Sequence, residues 1–102
     1  MIEKDIIKKN IYSAVMNDSH LNMIDSVYLF GSYVDGKAKS DSDVDILIKF
    51  APDATIGFFA LADIQEHFEN TIGKKVDLVT PDAVSKYFRE SVLNQAEVVY
   101  ER

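Results

Sequence analysis

The sequence predicts a small α/β or α+β fold, in which one β-sheet is flanked by helices. Strand-like apolar segments alternate with segments of helical periodicity along the 102 residues, and this alternation is typical of one sheet with helices packed against it. The apolar share of 47% is ample for one hydrophobic core. Because chains of this length commonly form one domain, we expect a single domain over residues 1–102. The pattern leaves the order of the strands open.

The first half of the chain is predicted to contain one helix and two strands. Residues 3–17 carry apolar side chains at helical spacing, and residues 26–30 have the branched and aromatic composition of a buried strand. A polar stretch over residues 33–42 predicts a loop or a short helix. Residues 43–50 form the second predicted strand.

The second half adds two helices and two strands. Residues 56–69 repeat large apolar side chains every three or four positions, which predicts a helix. Residues 75–79 predict the third strand. Residues 80–95 predict one continuous helix, because they begin with Thr-Pro, which is favoured at the N-cap and first helical position. Residues 97–100 complete the pattern as a short last strand.

Charge and composition exclude several functional classes. The formal net charge is −6, whereas proteins that bind duplex nucleic acid non-specifically carry a basic face, so we expect no duplex binding. The absence of cysteine excludes disulfides and thiolate metal sites. The N-terminal residues lack the apolar core of a signal peptide, and no apolar run is long enough to span a bilayer. We therefore expect a cytoplasmic protein without membrane contact.

Two short motifs carry the chemical signal. Gly31 and Ser32 follow the first predicted strand, where backbone amides and a hydroxyl can bind an anion, although a plain turn is the commoner meaning of such a pair. Asp43 and Asp45 are two residues apart in a strand, so both carboxylates lie on one face. They are either solvated or neutralised by a cation such as Mg²⁺, which prefers oxygen ligands.

A third carboxylate, Asp77, lies in the middle of the third predicted strand. Its neighbours Val76 and Leu78 are apolar, so Asp77 is expected on the face opposite to the core. If this strand pairs beside the second one, Asp77 joins Asp43 and Asp45 on a common surface. Otherwise it is an exposed residue of an edge strand.

Taken together, these motifs resemble a known family. Gly31 and Ser32, ten further residues, and then Asp43-Val-Asp45 are similar to the Gly-Ser-x₁₀-Asp-x-Asp signature of the DNA polymerase β-like nucleotidyltransferase superfamily. The whole segment 30–48 closely resembles the minimal nucleotidyltransferase branch, whose members are single domains of about this length. The resemblance implies the nucleotidyltransferase fold, with a small mixed β-sheet flanked by helices.

The resemblance also implies an activity and a set of residue roles. Members transfer a nucleoside monophosphate, here AMP from ATP, to a hydroxyl acceptor, and minimal members act as antitoxins that modify a tyrosine of a partner HEPN toxin. Gly31 and Ser32 would hold the nucleotide phosphates. Asp43 and Asp45 would bind one or two Mg²⁺ ions, and Asp77 would complete the metal pair near the acceptor hydroxyl.

One departure from the family pattern supports an alternative function. Family members frequently carry arginine in a Gly-Ser-x-Ala-Arg-Gly pattern, whereas this chain has Asp35 before Gly36. The alternative is a catalytically weak binding module that neutralises a HEPN partner by stoichiometric contact. A homo-oligomer is also compatible with the sequence.

The remaining polar candidates carry less signal. His20 and His67 lack metal-ligand spacing, so we expect no catalytic role for them. Tyr33 follows the Gly-Ser pair and is expected either to stack on a base or to pack in the core.

Overall fold

The structure, a computed structural model, describes residues 4–84 and 86–102. Helices and strands alternate along these residues, as the sequence pattern predicts. Their bounds are Lys4–Met16 (α1), Ile24–Phe30 (β1), Ser32–Asp35 (α2), Val44–Phe50 (β2), Phe58–Ile72 (α3), Val76–Val79 (β3), Lys86–Gln95 (α4) and Glu97–Glu101 (β4).

The strands form a four-stranded mixed sheet in the order β3-β2-β1-β4. β1 pairs antiparallel with both β2 and β4, and β2 pairs parallel with β3. A parallel neighbour requires a crossover connection, and α3 is the helix that lies between β2 and β3 in the chain. The prediction of a small mixed sheet with flanking helices is confirmed.

The hydrophobic core lies on one face of the sheet, where α1 and α3 pack against each other. The buried side chains of α3 recur every four residues, so one stripe of that helix faces the core. The core side chains of β2 alternate, with Val44, Ile46 and Ile48 all fully buried. The core therefore uses the even-numbered positions of β2 and leaves the odd-numbered ones on the opposite face.

The opposite face of the sheet carries the acidic residues. Asp45, Leu47 and Lys49 are the odd-numbered residues of β2, and their strand partners in β1 are Phe30, Tyr28 and Ser26. Lys49 Nζ lies 5.1 Å from the centre of the Tyr28 ring, a cation–π contact across the two strands.

The prediction of one continuous helix from residue 80 is wrong. Pro81–Ala83 form a single 3₁₀ turn, Val84 is extended, and α4 begins only at Lys86. The carbonyl oxygens of Pro81 and Val84 accept hydrogen bonds from the Arg89 side chain at 3.1 and 3.4 Å. A side chain of the following helix thus stabilises the break, and Thr80 makes no side-chain capping hydrogen bond.

Other boundaries differ by a few residues from those predicted. β1 begins at Ile24, two residues earlier than expected, and α3 continues to Ile72, where Gly73 ends the helix with a φ of 77°. The start of the first predicted helix, residue 3, lies outside the described residues. Within residues 4–84 and 86–102, none of the helices has the length and apolar character needed to cross a bilayer.

A buried carboxylate connects the loop after α1 to α3. The Asp18 side chain is 2% exposed, and its Oδ1 accepts the His20 backbone N–H at 2.8 Å. The Nδ1 atoms of His20 and His67 lie 3.0 and 2.8 Å from the two Asp18 oxygens. The two histidines are thus close in space despite their separation in sequence, and their contacts with Asp18 support the fold.

Candidate active site

The site begins where β1 ends, at Gly31. This residue has φ 77° and ψ −146°, a backbone conformation that side chains disfavour. A Cβ atom built on Gly31 would collide with Asp45 Oδ2 and lie 2.9 Å from Asp45 Cγ. Two independent features therefore require glycine at this position: the positive φ, and the Asp45 carboxylate that lies directly against the backbone.

The single helical turn α2 presents unpaired amides next to Gly31. The amides of Val34 and Asp35 donate to the Gly31 carbonyl at 3.0 and 3.1 Å. The amides of Ser32 and Tyr33 come earlier in the turn, and the first amides of a helix have no acceptor within it. Two N–H groups and the Ser32 hydroxyl thus lie beside Gly31, an arrangement that can bind an anionic oxygen.

Two carboxylates from neighbouring strands lie side by side. In the parallel pair of β2 and β3, Asp45 is the register partner of Asp77. Register partners lie on the same face of a sheet, with their strands about 4.8 Å apart. The structure thus places Asp77 beside Asp45 on the face opposite to the core, which is the arrangement that the sequence left conditional.

Asp43 lies one residue before β2 and is exposed. Two hydrogen bonds fix the entry to β2, because the Val44 amide donates to the Lys75 carbonyl at 2.9 Å and Lys74 Nζ donates to the Ser40 carbonyl at 2.7 Å. The start of β2 is therefore held against the start of β3.

Burial and the neighbouring carboxylates perturb Asp45. The pKa of Asp45 is raised from 3.8 to about 6, chiefly by burial and then by the negative charges of Asp77, Asp43 and Asp35. Like charges and low solvent exposure both disfavour the ionised form. Asp45 is therefore the carboxylate on which burial and the negative charges of its acidic neighbours act together.

The comparisons with known proteins agree with this geometry. Residues 8–102 match the family described as polymerase β, nucleotidyltransferase. The protein adenylyltransferase MntA of Thermococcus cleftensis is 42% identical over 72 residues, which are 71% of this chain and 69% of the relative. The chain belongs to the polymerase β-like nucleotidyltransferase family. It is a nucleotidyltransferase of the minimal type, with a fold of this family.

Solved structures support the same assignment. A candidate minimal nucleotidyltransferase is similar to this nucleotidyltransferase, with a TM-score of 0.75 and 27% identity over 94% of this chain and 95% of the other. A complex of tri-AMPylated Shewanella oneidensis HEPN toxin with an MNT antitoxin matches with a TM-score of 0.69 and 19% identity, over 97% of this chain and 73% of the matched chain. The second likeness concerns the fold alone.

The donor set of the nucleotidyltransferase fits a hard divalent cation, and the family generally uses divalent metals. Asp43, Asp45 and Asp77 all offer carboxylate oxygens as metal ligands. Asp43 and Asp77 are exposed and Asp45 is half-buried, so these oxygens lie near the solvent. Across residues 4–84 and 86–102, no three His, Cys, Asp or Glu side chains form a ready-made metal site. The three carboxylates supply oxygen donors, which are the ligands that hard divalent cations prefer.

Asp35 has a role that the sequence did not reveal, and Tyr33 takes one of the two roles expected for it. Asp35 Oδ1 accepts the Lys37 amide at 3.1 Å, so it stabilises the turn after α2 as well as adding negative charge near Asp45. Tyr33 is 5% exposed and belongs to the core, so its role is packing rather than stacking on a base. Aspartate often accepts a hydrogen bond from the backbone two residues further on in a turn. An aspartate directly before Gly36 was the only sequence feature that could have predicted this role of Asp35.

Proposed function

We propose that this nucleotidyltransferase transfers AMP from ATP to a tyrosine hydroxyl of a HEPN-domain toxin and thereby acts as its antitoxin. The similarity to a protein adenylyltransferase supports the donor and the protein acceptor. The likeness in fold to the antitoxin bound to an AMPylated HEPN toxin supports the kind of partner. In this proposal residues 1–102 act as one domain, in the cytoplasm.

The observation that carries the proposal is the position of the Asp45 carboxylate. It lies between the Gly31 backbone on one side and Asp77 on the other. A nucleotide whose phosphates contact Gly31 and Ser32 is thus brought beside the carboxylates that would hold Mg²⁺. The acceptor would then approach over Asp77, at the edge of the sheet formed by β3.

The residues have distinct parts in the proposed transfer. Gly31 and Ser32 bind the β- and γ-phosphates, and Asp43 and Asp45 would hold one or two Mg²⁺ ions, with Asp77 as a further ligand. When bound, Mg²⁺ would supply positive charge next to the attacking and leaving oxygens. The tyrosine oxygen forms a bond to the α-phosphorus, the bond to pyrophosphate breaks, and Asp77 accepts the hydroxyl proton.

A second candidate function follows from Asp35. Its negative charge, where family members frequently have arginine, adds to the charges that raise the pKa of Asp45. A weakened catalytic centre would leave a binding module that inhibits a HEPN partner by contact alone. The two functions differ in stoichiometry, because an enzyme silences many partner molecules and a binding module silences only one.

The deciding experiment titrates the protein against a HEPN-domain toxin with and without ATP and Mg²⁺. We expect substoichiometric protein to silence the toxin in the presence of ATP, with the toxin gaining the mass of one or more AMP groups. Asp77→Asn should abolish transfer and retain part of the nucleotide affinity, because Asp43 and Asp45 are unchanged. Stoichiometric, ATP-independent inhibition by both proteins would establish the binding module instead.

A further inference from the structure

Two phenylalanines at the start of α3 are unusually exposed. Phe58 and Phe59 are 79% and 83% exposed, the highest values among the large hydrophobic side chains of the described residues. Their ring centres lie 5.7 Å apart at an angle of 77°, an edge-to-face pair. Large aromatic side chains exposed together mark interaction sites more often than ordinary surface.

A cavity of about 560 Å³ lies beside this aromatic pair, and Phe58 is part of its lining. Its wall is about equally polar and apolar: Phe50, Ile56 and Pro81 are among the apolar lining residues, and Lys49 and Asp82 supply charged groups. The apolar part of this wall can pack against one bulky apolar side chain of a partner, and Lys49 and Asp82 can pair with polar groups around that side chain.

The cavity is close to the catalytic carboxylates. Lys49 lies on the same face of β2 as Asp45, four residues further along, which corresponds to about 13 Å at the usual rise of a strand. Thr80, also in the cavity lining, follows Asp77 by three residues, or about 10 Å. A molecule that presents a hydroxyl to Asp77 can therefore reach this cavity only if it extends beyond the reacting group by about this distance.

The direction of the two rings favours a protein over a nucleotide base. The planes of the Phe58 and Phe59 rings make an angle of 77°, so one flat molecule cannot stack on both rings. A planar base covers one of these rings at most. A protein surface can cover both, and the net charge of −6 favours a partner with basic residues around its contact.

We propose that Phe58, Phe59 and the adjacent cavity form the docking surface for the protein that accepts the nucleotide. An apolar side chain of the acceptor, about 10–13 Å from the modified hydroxyl, fills the cavity while the two rings pack around it. This inference rests on the proposed transfer to a protein. In this inference, contacts with this surface make the enzyme prefer a protein acceptor to a small-molecule acceptor.

The test uses the double variant Phe58→Ser/Phe59→Ser, with Met16→Ser as the matched control. Phe58 and Phe59 are exposed, and Met16 on α1 is 42% exposed. We therefore expect both the double variant and the control variant to fold. Transfer of AMP from ATP is measured with a HEPN-domain toxin and, separately, with tyrosine amide, which is too small to reach the cavity. We expect the KM for the toxin to rise about tenfold or more in the double variant.

The same variant should leave the KM for ATP and the rate with tyrosine amide unchanged, and Met16→Ser should match the wild type throughout. Ala54→Phe, which fills the cavity from its own wall, should raise the KM for the toxin without removing either ring. An unchanged KM for the toxin in both altered proteins would overturn the docking surface.

Two other outcomes would assign this surface to a different occupant. A weaker affinity for Mg-ATP in the double variant would identify a base pocket. A wild-type dimer that dissociates on substitution would identify a contact between two copies of the chain. If the wild type transfers no AMP to the toxin at all, the proposed function fails together with this inference, whereas normal transfer by both the double variant and Ala54→Phe refutes the inference alone.

Discussion

The Gly31 backbone and the Asp45 carboxylate are in direct contact, so that any side chain at position 31 would overlap Asp45 Oδ2. The residue proposed to hold phosphate and a residue proposed to hold metal are therefore fixed relative to each other. Gly31 comes from the end of β1 and Asp45 from the second residue of β2, and the pairing of Phe30 with Asp45 holds them together.

We predict that Gly31→Ala abolishes nucleotide binding as well as lowering stability. The substitution combines an unfavourable positive φ with displacement of the Asp45 carboxylate. Gly73→Ala is the matched control, because Gly73 has the same φ of 77° but nothing within 4 Å of its added Cβ. Calorimetry with Mg-ATP and thermal unfolding separate the effects: both variants should lose about 1 kcal/mol or more of stability, and only Gly31→Ala should lose binding. Equal Mg-ATP affinity in the two variants would contradict this account.

We predict that Mg-ATP affinity falls as the pH is lowered through about 6, the raised pKa of Asp45. Protonation of this carboxylate removes the charge proposed to hold the metal ion. Asp45→Asn should bind Mg-ATP weakly at every pH, and Asp43→Asn should also weaken binding. Titration of affinity between pH 5 and 8 in the wild type provides the measurement, and a flat profile would exclude Asp45 as a ligand.

The stability of the metal-free protein should change with pH in the opposite sense. The pKa of Asp45 is raised from 3.8 to about 6 on folding, so between these values the folded chain binds more protons than the unfolded chain. The free energy of unfolding therefore gains a contribution from Asp45 as the pH falls from above 6 towards 4. In chelator at pH 7.5, Asp45→Asn should be at least as stable as the wild type. A clear loss of stability in Asp45→Asn would show that the charged carboxylate supports the fold.

We predict that Asp18→Ala destabilises the protein by about 1–3 kcal/mol without changing its transfer kinetics. The substitution removes a buried acceptor from the His20 amide and from both histidine rings. Asp63→Ala is the control, because Asp63 is exposed and lines the same surface pocket. Urea unfolding should separate the two variants, and a stable Asp18→Ala protein would mean that the histidines find other partners.

We predict that Tyr33→Phe stabilises the protein by about 1 kcal/mol. Among the described residues, the Tyr33 hydroxyl is a buried polar group without a hydrogen-bond partner. Its removal eliminates a desolvation cost and keeps the packed ring. Thermal unfolding of the two proteins checks this, and a lower midpoint in Tyr33→Phe would reveal that the hydroxyl has a partner such as a bound water molecule.

The sequence predicted most helices and strands and the part of the candidate site formed by β1, α2 and β2, because these features depend on short-range patterns. The Gly-Ser pair, the Asp-x-Asp spacing and the alternation in β2 are all properties of neighbouring residues. The position of Asp77 beside Asp45 depends on which strand pairs with β2, and no local pattern fixes that choice. The contact of His67 with Asp18 likewise joins residues 49 positions apart. The break after Ala83 is stabilised by the Arg89 side chain, eight residues beyond Pro81, and the Thr-Pro helix-start pattern gives no sign of that contact.

The antiparallel pairing of β1 with β2 has a consequence for the order of folding. The half of the site proposed to bind the nucleotide is built from contacts between residues close in sequence, whereas Asp77 is positioned only after α3 has brought β3 alongside β2. Local contacts form with a smaller loss of chain entropy than distant ones. We therefore expect amides of β1 and β2 to gain protection from hydrogen exchange before those of β3 during refolding, so that a nascent chain acquires its donor site before it can act on an acceptor.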